Sequence, residues 1–227
     1  MSETRTGLVP SRFRLPFWPL VALAALLLFN LLFTEGFARI TIKEGHLYGS
    51  LVDILKLSSR VMLVSLGMTL VIATAGVDLS VGAVIGIAGS VAAKLIVQQQ
   101  TGLPMALAAT LGICLVFGAW NGMLVAWLGV QPIVATLILM VAGRGIAQLL
   151  TDGQIITVEN PGFSFIAGGH FLGLPFPVTL VALMLSITVA LTRGTAMGLF
   201  IESVGNNETA SFLAGVNVRA VKMFVYM

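Results

Sequence analysis

The 227-residue sequence is 58% hydrophobic and only 9% charged, with a formal net charge of +3 and a mean hydropathy of +1.04. A water-soluble domain carries about 25% charged residues, so most of this chain's exterior is built to face lipid. The small, scattered positive charge excludes a nucleic-acid surface, the single cysteine (Cys114) excludes an intrachain disulfide framework, and two distant histidines, His46 and His170, make no metal site.

A membrane-spanning helix needs roughly 20 mostly apolar residues, at about 1.5 Å of rise each across a core about 30 Å thick. Six runs meet or approach that length: residues 16–33, 61–77, 79–97, 103–128, 133–150 and 174–192. Backbone polar groups find no water in lipid, so these runs are predicted as helices, and the fold class is all-α, a polytopic membrane helix bundle. The first run follows Arg5, Arg12 and Arg14 but is longer than a signal-peptide core and lacks a small-residue cleavage site, which makes it an uncleaved anchor.

Lys and Arg placement sets the expected orientation. Three arginines precede the first run, and Arg193, Arg219 and Lys222 follow the sixth. Residues 151–173 contain none. The N-terminus and residues 193–222 are therefore expected in the cytoplasm. Residues 34–60 dissent, being predicted outside yet holding Arg39, Lys43, Lys56 and Arg60. Leu51, Ile54, Leu55 and Ser58 recur there at helical spacing, as in an amphipathic interfacial helix.

Between the second and third runs, Asp78 and Ser80 read as a helix N-cap, or as a carboxylate and a helix break lining a hydrophilic path. Gly82 and Gly86, continued by Gly89, Ser90 and Ala93, form one small-residue stripe. Gly118 and Gly122, continued by Ala126, form another. Such stripes let helices approach closely. Asn121 beside the second stripe reads as interhelical glue or a substrate contact. Lys94 reads as an interface anchor. Arg144 costs about 2.5–3.5 kcal/mol at a span's centre, which nine Leu, Ile and Val neighbours offset at about 0.3–0.6 kcal/mol each. It is a candidate functional residue between Gly143 and Gly145.

After the sixth run, Gly205 and Asn206 read as a turn, and a short helix is expected from Asn207 to Ala214, stopped by Gly215. It would expose Phe212 and Leu213, as a helix docking in a partner's groove does, or form an ordinary interfacial turn.

Residues 67–82 (GMTLVIATAGVDLSVG), Asn121–Gly122 with residues 131–137 (QPIVATL), 143–145 (GRG), and 204–208 (VGNNE) with 215–217 (GVN) resemble the ribose-type sugar ABC importer permease family. The resemblance implies a permease that moves a monosaccharide of galactofuranose or ribose type across the inner membrane. Its implied partners are a second permease subunit, a cytoplasmic ATPase subunit and a periplasmic sugar-binding protein. The chain is implied to be a transport subunit, not an enzyme, with no cofactor and no metal. It has no Walker A sequence, so ATP hydrolysis falls to the partner.

In this reading Asp78, Ser80, Asn121, Thr136 and Arg144 are candidates for the translocation path. Gly205, Asn206, Asn207, Glu208, Ala210, Phe212 and Gly215 are candidates for ATPase coupling. Ala210, Ser211 and Phe212 depart from the Ala-Ala-Arg frequent in the family. The expected organisation is a cytoplasmic tail (1–15), a transmembrane permease domain (16–192), a cytoplasmic coupling loop (193–222) and the start of a further span (223–227). The family continues for several more spans, so the chain resembles the N-terminal part of a larger permease. The readings that compete are a secondary transporter or channel, and an inactive truncated fragment.

Overall fold

The computed structural model describes residues 17–43, 45–171 and 173–227. The predicted tail (1–15), with Arg5, Arg12 and Arg14, lies outside the described residues, as does Pro16 at the start of the first run. The chain divides into two compact units, residues 1–53 and 54–227.

In the first unit, α1 (Phe17–Phe33) is apolar throughout except for Asn30, whose Nδ2 donates to the Leu26 carbonyl at 2.9 Å. That bond satisfies one of the amide's two N–H donors within the helix itself, which lowers the cost of a lone amide facing lipid. An antiparallel hairpin follows, β1 (Thr41–Lys43) with β2 (His46–Tyr48), in the register Thr41↔Tyr48.

Helix α2 runs from Ser50 to Ala73, and its last 20 residues belong to the second unit. This corrects the expected start near residue 61. Asp53, Lys56 and Arg60 are compatible with helix, and they hid its first turns from a hydropathy reading. Its 24 residues span about 36 Å at 1.5 Å each. A bilayer core is about 30 Å thick, so the amphipathic residues predicted as a separate interfacial helix are the end of the span itself.

The rest of the second unit is almost wholly helical. Helix α3 (Val81–Ala93) continues into a π-helical turn (Lys94–Gln98), followed by α4 (Leu103–Ala126), α5 (Pro132–Leu150) and the short α6 (Pro161–Gly168). Strands β3 (His170–Phe171) and β4 (Leu174–Pro175) pair antiparallel. Helices α7 (Phe176–Gly194), α8 (Ala196–Asn206), α9 (Glu208–Leu213) and α10 (Val218–Tyr226) complete the chain. Pro104, Pro132 and Pro177 stand in the first turns of α4, α5 and α7, where a missing N–H costs nothing.

Among the described residues, five helices are long and apolar enough to cross a membrane: α2, α3 with its π turn, α4, α5 and α7. The 17-residue α1 is a shorter apolar helix. Most large apolar side chains on these helices are exposed, and α7 has no buried residue, as fits a surface solvated by lipid tails. The protein is a polytopic helical membrane protein.

Three contacts fix the bundle. Helices α3 and α5 run parallel: the backbone N–H of Leu79 donates to Thr136 Oγ1 at one end (3.1 Å), Ser90 Oγ to the Ala147 carbonyl (3.3 Å), and Lys94 Nζ to the Leu150 carbonyl (3.2 Å) at the other. Lys94, expected as an interface anchor, thus caps the carbonyl end of α5. The packed face of α3 joins Ala83 and Ile87 to part of the predicted stripe, Gly86 near Ala147, Ser90 and the buried Ala93. A Cβ on Gly143 would sit 2.9 Å from that of Ala83, while Gly82 and Gly89 meet nothing within 4 Å. Helix α4 runs antiparallel to α3 and receives α10 over its second stripe, with Gly118 against the Tyr226 backbone and Gly122 against Met223.

The main buried cluster lies at the end of the bundle where α8 and α10 seat. It joins Val71, Val125, Ala135, Ile201, Val204, Val218, Val221, Val225 and Tyr226. The expected turn at Gly205 and Asn206 is the last turn of α8. That helix begins at the Thr195 cap, which accepts from the Met197 N–H at 3.2 Å, and buries Gly198, Ile201 and Val204 on one face.

Candidate functional site

The α2–α3 connection, residues 74–80, is a tight polar turn. Thr74 Oγ1 donates to the Val71 carbonyl at 2.8 Å, and so does the Gly76 N–H at 3.1 Å. Asp78 is the hub. Its Oδ1 accepts from the backbone N–H of Ser80 at 2.7 Å and from Ser80 Oγ at 2.6 Å. Ser80 is the N-cap of α3 by position, yet its side chain caps nothing. The carboxylate two residues earlier holds the helix start instead.

A directed chain of donors runs through this turn. Asn121 Nδ2 donates to Ser80 Oγ at 2.9 Å, and Ser80 spends its only hydroxyl proton on Asp78. Thr136 Oγ1 accepts from Leu79 and donates to the Pro132 carbonyl at 2.9 Å. The structure therefore gathers four of the predicted path residues, Asp78 and Ser80 from the α2–α3 connection, Asn121 from α4 and Thr136 from α5. Ser80, Asn121 and Thr136 are at most 1% exposed, whereas Asp78 is half-buried. Among the described residues nothing pairs with the buried Asn121 Oδ1 or the buried Tyr226 hydroxyl. Arg144 stands apart, exposed two turns along α5 from Thr136.

The coupling candidates form a compact helical excursion at the same end of the bundle. Asn207 ends α8 and caps α9, with its Oδ1 accepting from the Ala210 N–H at 2.9 Å. Helix α9 closes as a paired C-terminal motif: the Gly215 N–H reaches the Phe212 carbonyl and the Val216 N–H the Ser211 carbonyl, both at 3.0 Å. That closure requires the left-handed φ of +88° at Gly215, where glycine is the least strained residue. Asn217 then caps α10 through the Ala220 N–H at 3.1 Å.

Ser211 faces inward. Phe212 and Leu213 stand 68% and 80% exposed, and Ala210 and Asn206 are also exposed. Beside them lies a groove of about 1000 Å³ lined by Trp127, Gln131, Phe212, Val216 and Arg219. Its rim is braced by the Arg219 guanidinium, 5.9 Å from the Trp127 ring centre. Glu208 lines the same groove and binds Lys222 Nζ at 2.6 Å.

Two close approaches seat this excursion on the Asp78 turn. Gly205 lies so near the Ala73 carbonyl that a Cβ there would collide with it. A Cβ on Gly76 would sit 2.6 Å from the Tyr226 hydroxyl. Sequence reasoning missed Lys222, Met223 and Tyr226. The Gly118/Gly122 stripe announced a close helix, but nothing local said that α10 was the one.

The family described as "Branched-chain amino acid transport system / permease component" matches residues 50–227. The chain belongs to that permease family. It is 49% identical over 221 residues to the galactofuranose transporter permease protein of Escherichia coli strain K12, covering 95% of this chain and 64% of that protein. It is 35% identical over 215 residues to the fructose import permease protein of Bifidobacterium longum, covering 92% and 60%. It is also 35% identical over 181 residues to the ribose import permease protein of Escherichia coli strain K12, covering 78% and 56%. The chain thus spans somewhat under two thirds of the length of these relatives. No solved structure matches it.

Proposed function

We propose that this chain is the membrane-embedded permease of an ATP-binding-cassette importer that carries a monosaccharide across the bacterial inner membrane. The observation that carries the proposal is the 49% identity, over 95% of the chain, to a permease named for galactofuranose. The family description speaks of branched-chain amino acids, but the two other relatives above are named for fructose and ribose. The sugar reading is therefore the one adopted. The permease itself is a transport subunit, and hydrolysis of ATP belongs to a cytoplasmic partner. A second permease subunit and a periplasmic sugar-binding protein complete the assembly. The excess of Arg and Lys at residues 193–222 supports placing α8–α10 and the N-terminus in the cytoplasm.

In this assembly α9 is the segment that docks on the ATPase. Two large apolar side chains project from its tip, and they touch too little of their own chain to be there for stability. The Gly205–Gly215 stretch, with Asn206, Asn207, Glu208, Ala210 and Phe212, presents and orients that tip. Asp78 fronts the path at the cytoplasmic end, held in place by Ser80, Asn121 and Thr136. Arg144 is the path candidate farther along α5. The organisation proposed is a tail at residues 1–15, a permease domain at 16–192, a coupling loop at 193–222 and a further span beginning at 223.

The test combines docking with transport. Phe212→Asp and Leu213→Asp change exposed residues, so folding and membrane insertion are expected to be unaffected. Co-purification of the ATPase subunit is expected to weaken by at least about tenfold for Phe212→Asp, the loss of roughly 1.4 kcal/mol or more of apolar docking. Undiminished capture of the ATPase by both variants would remove α9 from the interface. Uptake of labelled leucine but not of labelled sugars by the assembled transporter would overturn the monosaccharide assignment.

A further inference from the structure

We propose that Lys222 and Tyr226 are positioning residues that carry movement of α9 to the Asp78 turn. This inference rests on the permease reading above and adds the route by which the docked segment acts on the path.

The route begins at Glu208. A carboxylate in the first turn of a docking helix would serve well as a contact for a partner, and here it is already engaged by Lys222 Nζ at 2.6 Å. Lys222 is the more enclosed member, with its side chain 15% exposed against 56% for Glu208. The bond is the one ion pair among the described residues. So exposed a pair adds little to stability. Its consequence is geometric, because it ties the six-residue α9 to the flank of α10, fourteen residues on.

Helix α10 then carries the constraint inward. Lys222 and Tyr226 are four residues apart, so they share a helix face one turn from each other. Tyr226 is 5% exposed, and its hydroxyl end presses on Gly76 between the end of α2 and Asp78. On the neighbouring face Gly118 and Gly122 admit the Tyr226 backbone and Met223 at close range, so α10 packs tightly against α4. Any shift of α9 that pulls on Lys222 therefore moves the ring of Tyr226 against the turn that holds Asp78. From there the donor chain Asn121–Ser80–Asp78 links α3 and α4. Four successive contacts join the docking tip to the path candidates.

The test uses the assembled transporter in proteoliposomes and reads sugar imported per ATP hydrolysed, alongside the amount of ATPase bound. Lys222→Met is expected to keep the ATPase bound but lower the import-to-hydrolysis ratio about tenfold, and Lys222→Arg to restore it to within about twofold. Tyr226→Leu, which keeps an apolar side chain in place but removes the ring from Gly76, is expected to lower the ratio similarly. Glu208→Gln combined with Lys222→Met is expected to be no worse than the poorer single variant, because both remove one bond. A wild-type ratio in Lys222→Met would overturn the lever. So would a double variant reduced by the product of the two single losses, since Glu208 and Lys222 would then act separately. Absence of any bound ATPase in the wild-type assembly would instead overturn the permease reading, and the lever with it.

Discussion

Asn121→Asp is expected to destabilise the purified protein in detergent by about 3–5 kcal/mol, the range for a buried charge left without a partner. Asn121→Leu, the larger chemical change, is expected to cost only about 1 kcal/mol. The inversion follows from the direction of the donor chain. Ser80 has one hydroxyl proton and gives it to Asp78, so the oxygen of Ser80 is open only to a donor, which Asn121 Nδ2 supplies. An aspartate at that position brings two acceptors and a charge to a site 1% exposed, facing an oxygen that has no proton to give. Leucine leaves Ser80 without that donor, but it also removes the buried Oδ1 that nothing in the described residues satisfies. Thermal unfolding of the two variants in one detergent decides the order. Equal midpoints would mean that Ser80 donates elsewhere and that the chain through Asp78 is wired differently.

The membrane spans were legible because lipid imposes a simple rule: a long apolar run has only the helix available to it. Where the reading erred, charge misled it. Asp53, Lys56 and Arg60 broke the hydropathy of α2, yet all three are helical, and the span starts at Ser50 rather than at 61. Gly205 and Asn206 looked like a turn by composition, while the burial of Ile201 and Val204 shows a helix face that overrode local propensity. The short α9 was legible to within a residue or two, since Asn207 and Gly215 are strong start and stop residues acting locally.

Four of the residues singled out in the sequence come together in the structure, but their wiring was not legible. Asp78, Ser80, Asn121 and Thr136 were each singled out, but their gathering depends on α3 and α5 running parallel, which no local pattern encodes. The glycine stripes show the same limit. Gly118 and Gly122 do receive a helix, whereas Gly82 and Gly89 face open space and Ala83 and Ile87 make the seam with Gly143. A small residue permits close approach, and the knob that fills the hole, here Met223 and Tyr226, is chosen by distant sequence.

Gly205→Ala is expected to be strongly destabilising, costing about 3 kcal/mol, the upper part of the range for overpacking. The new Cβ would collide with the carbonyl oxygen and carbon of Ala73, which are backbone at the end of α2 and cannot rotate away as a side chain would. Relief requires α8 to lift off α2, which opens the cluster of Val71, Ile201, Val204 and Tyr226. Helix propensity argues the other way, since alanine is favoured over glycine within a helix by about 0.5–1 kcal/mol. Gly145→Ala in α5 isolates that smaller effect, because nothing lies within 4 Å of its added methyl. Gly145→Ala is therefore expected to melt at or slightly above the wild-type temperature, and Gly205→Ala well below it. Matching midpoints for the two would show that α8 need not sit on the α2 backbone. In the proposed transporter, Gly205→Ala would also shift α9 away from the Asp78 turn, so import is expected to fall even at temperatures where the variant remains folded.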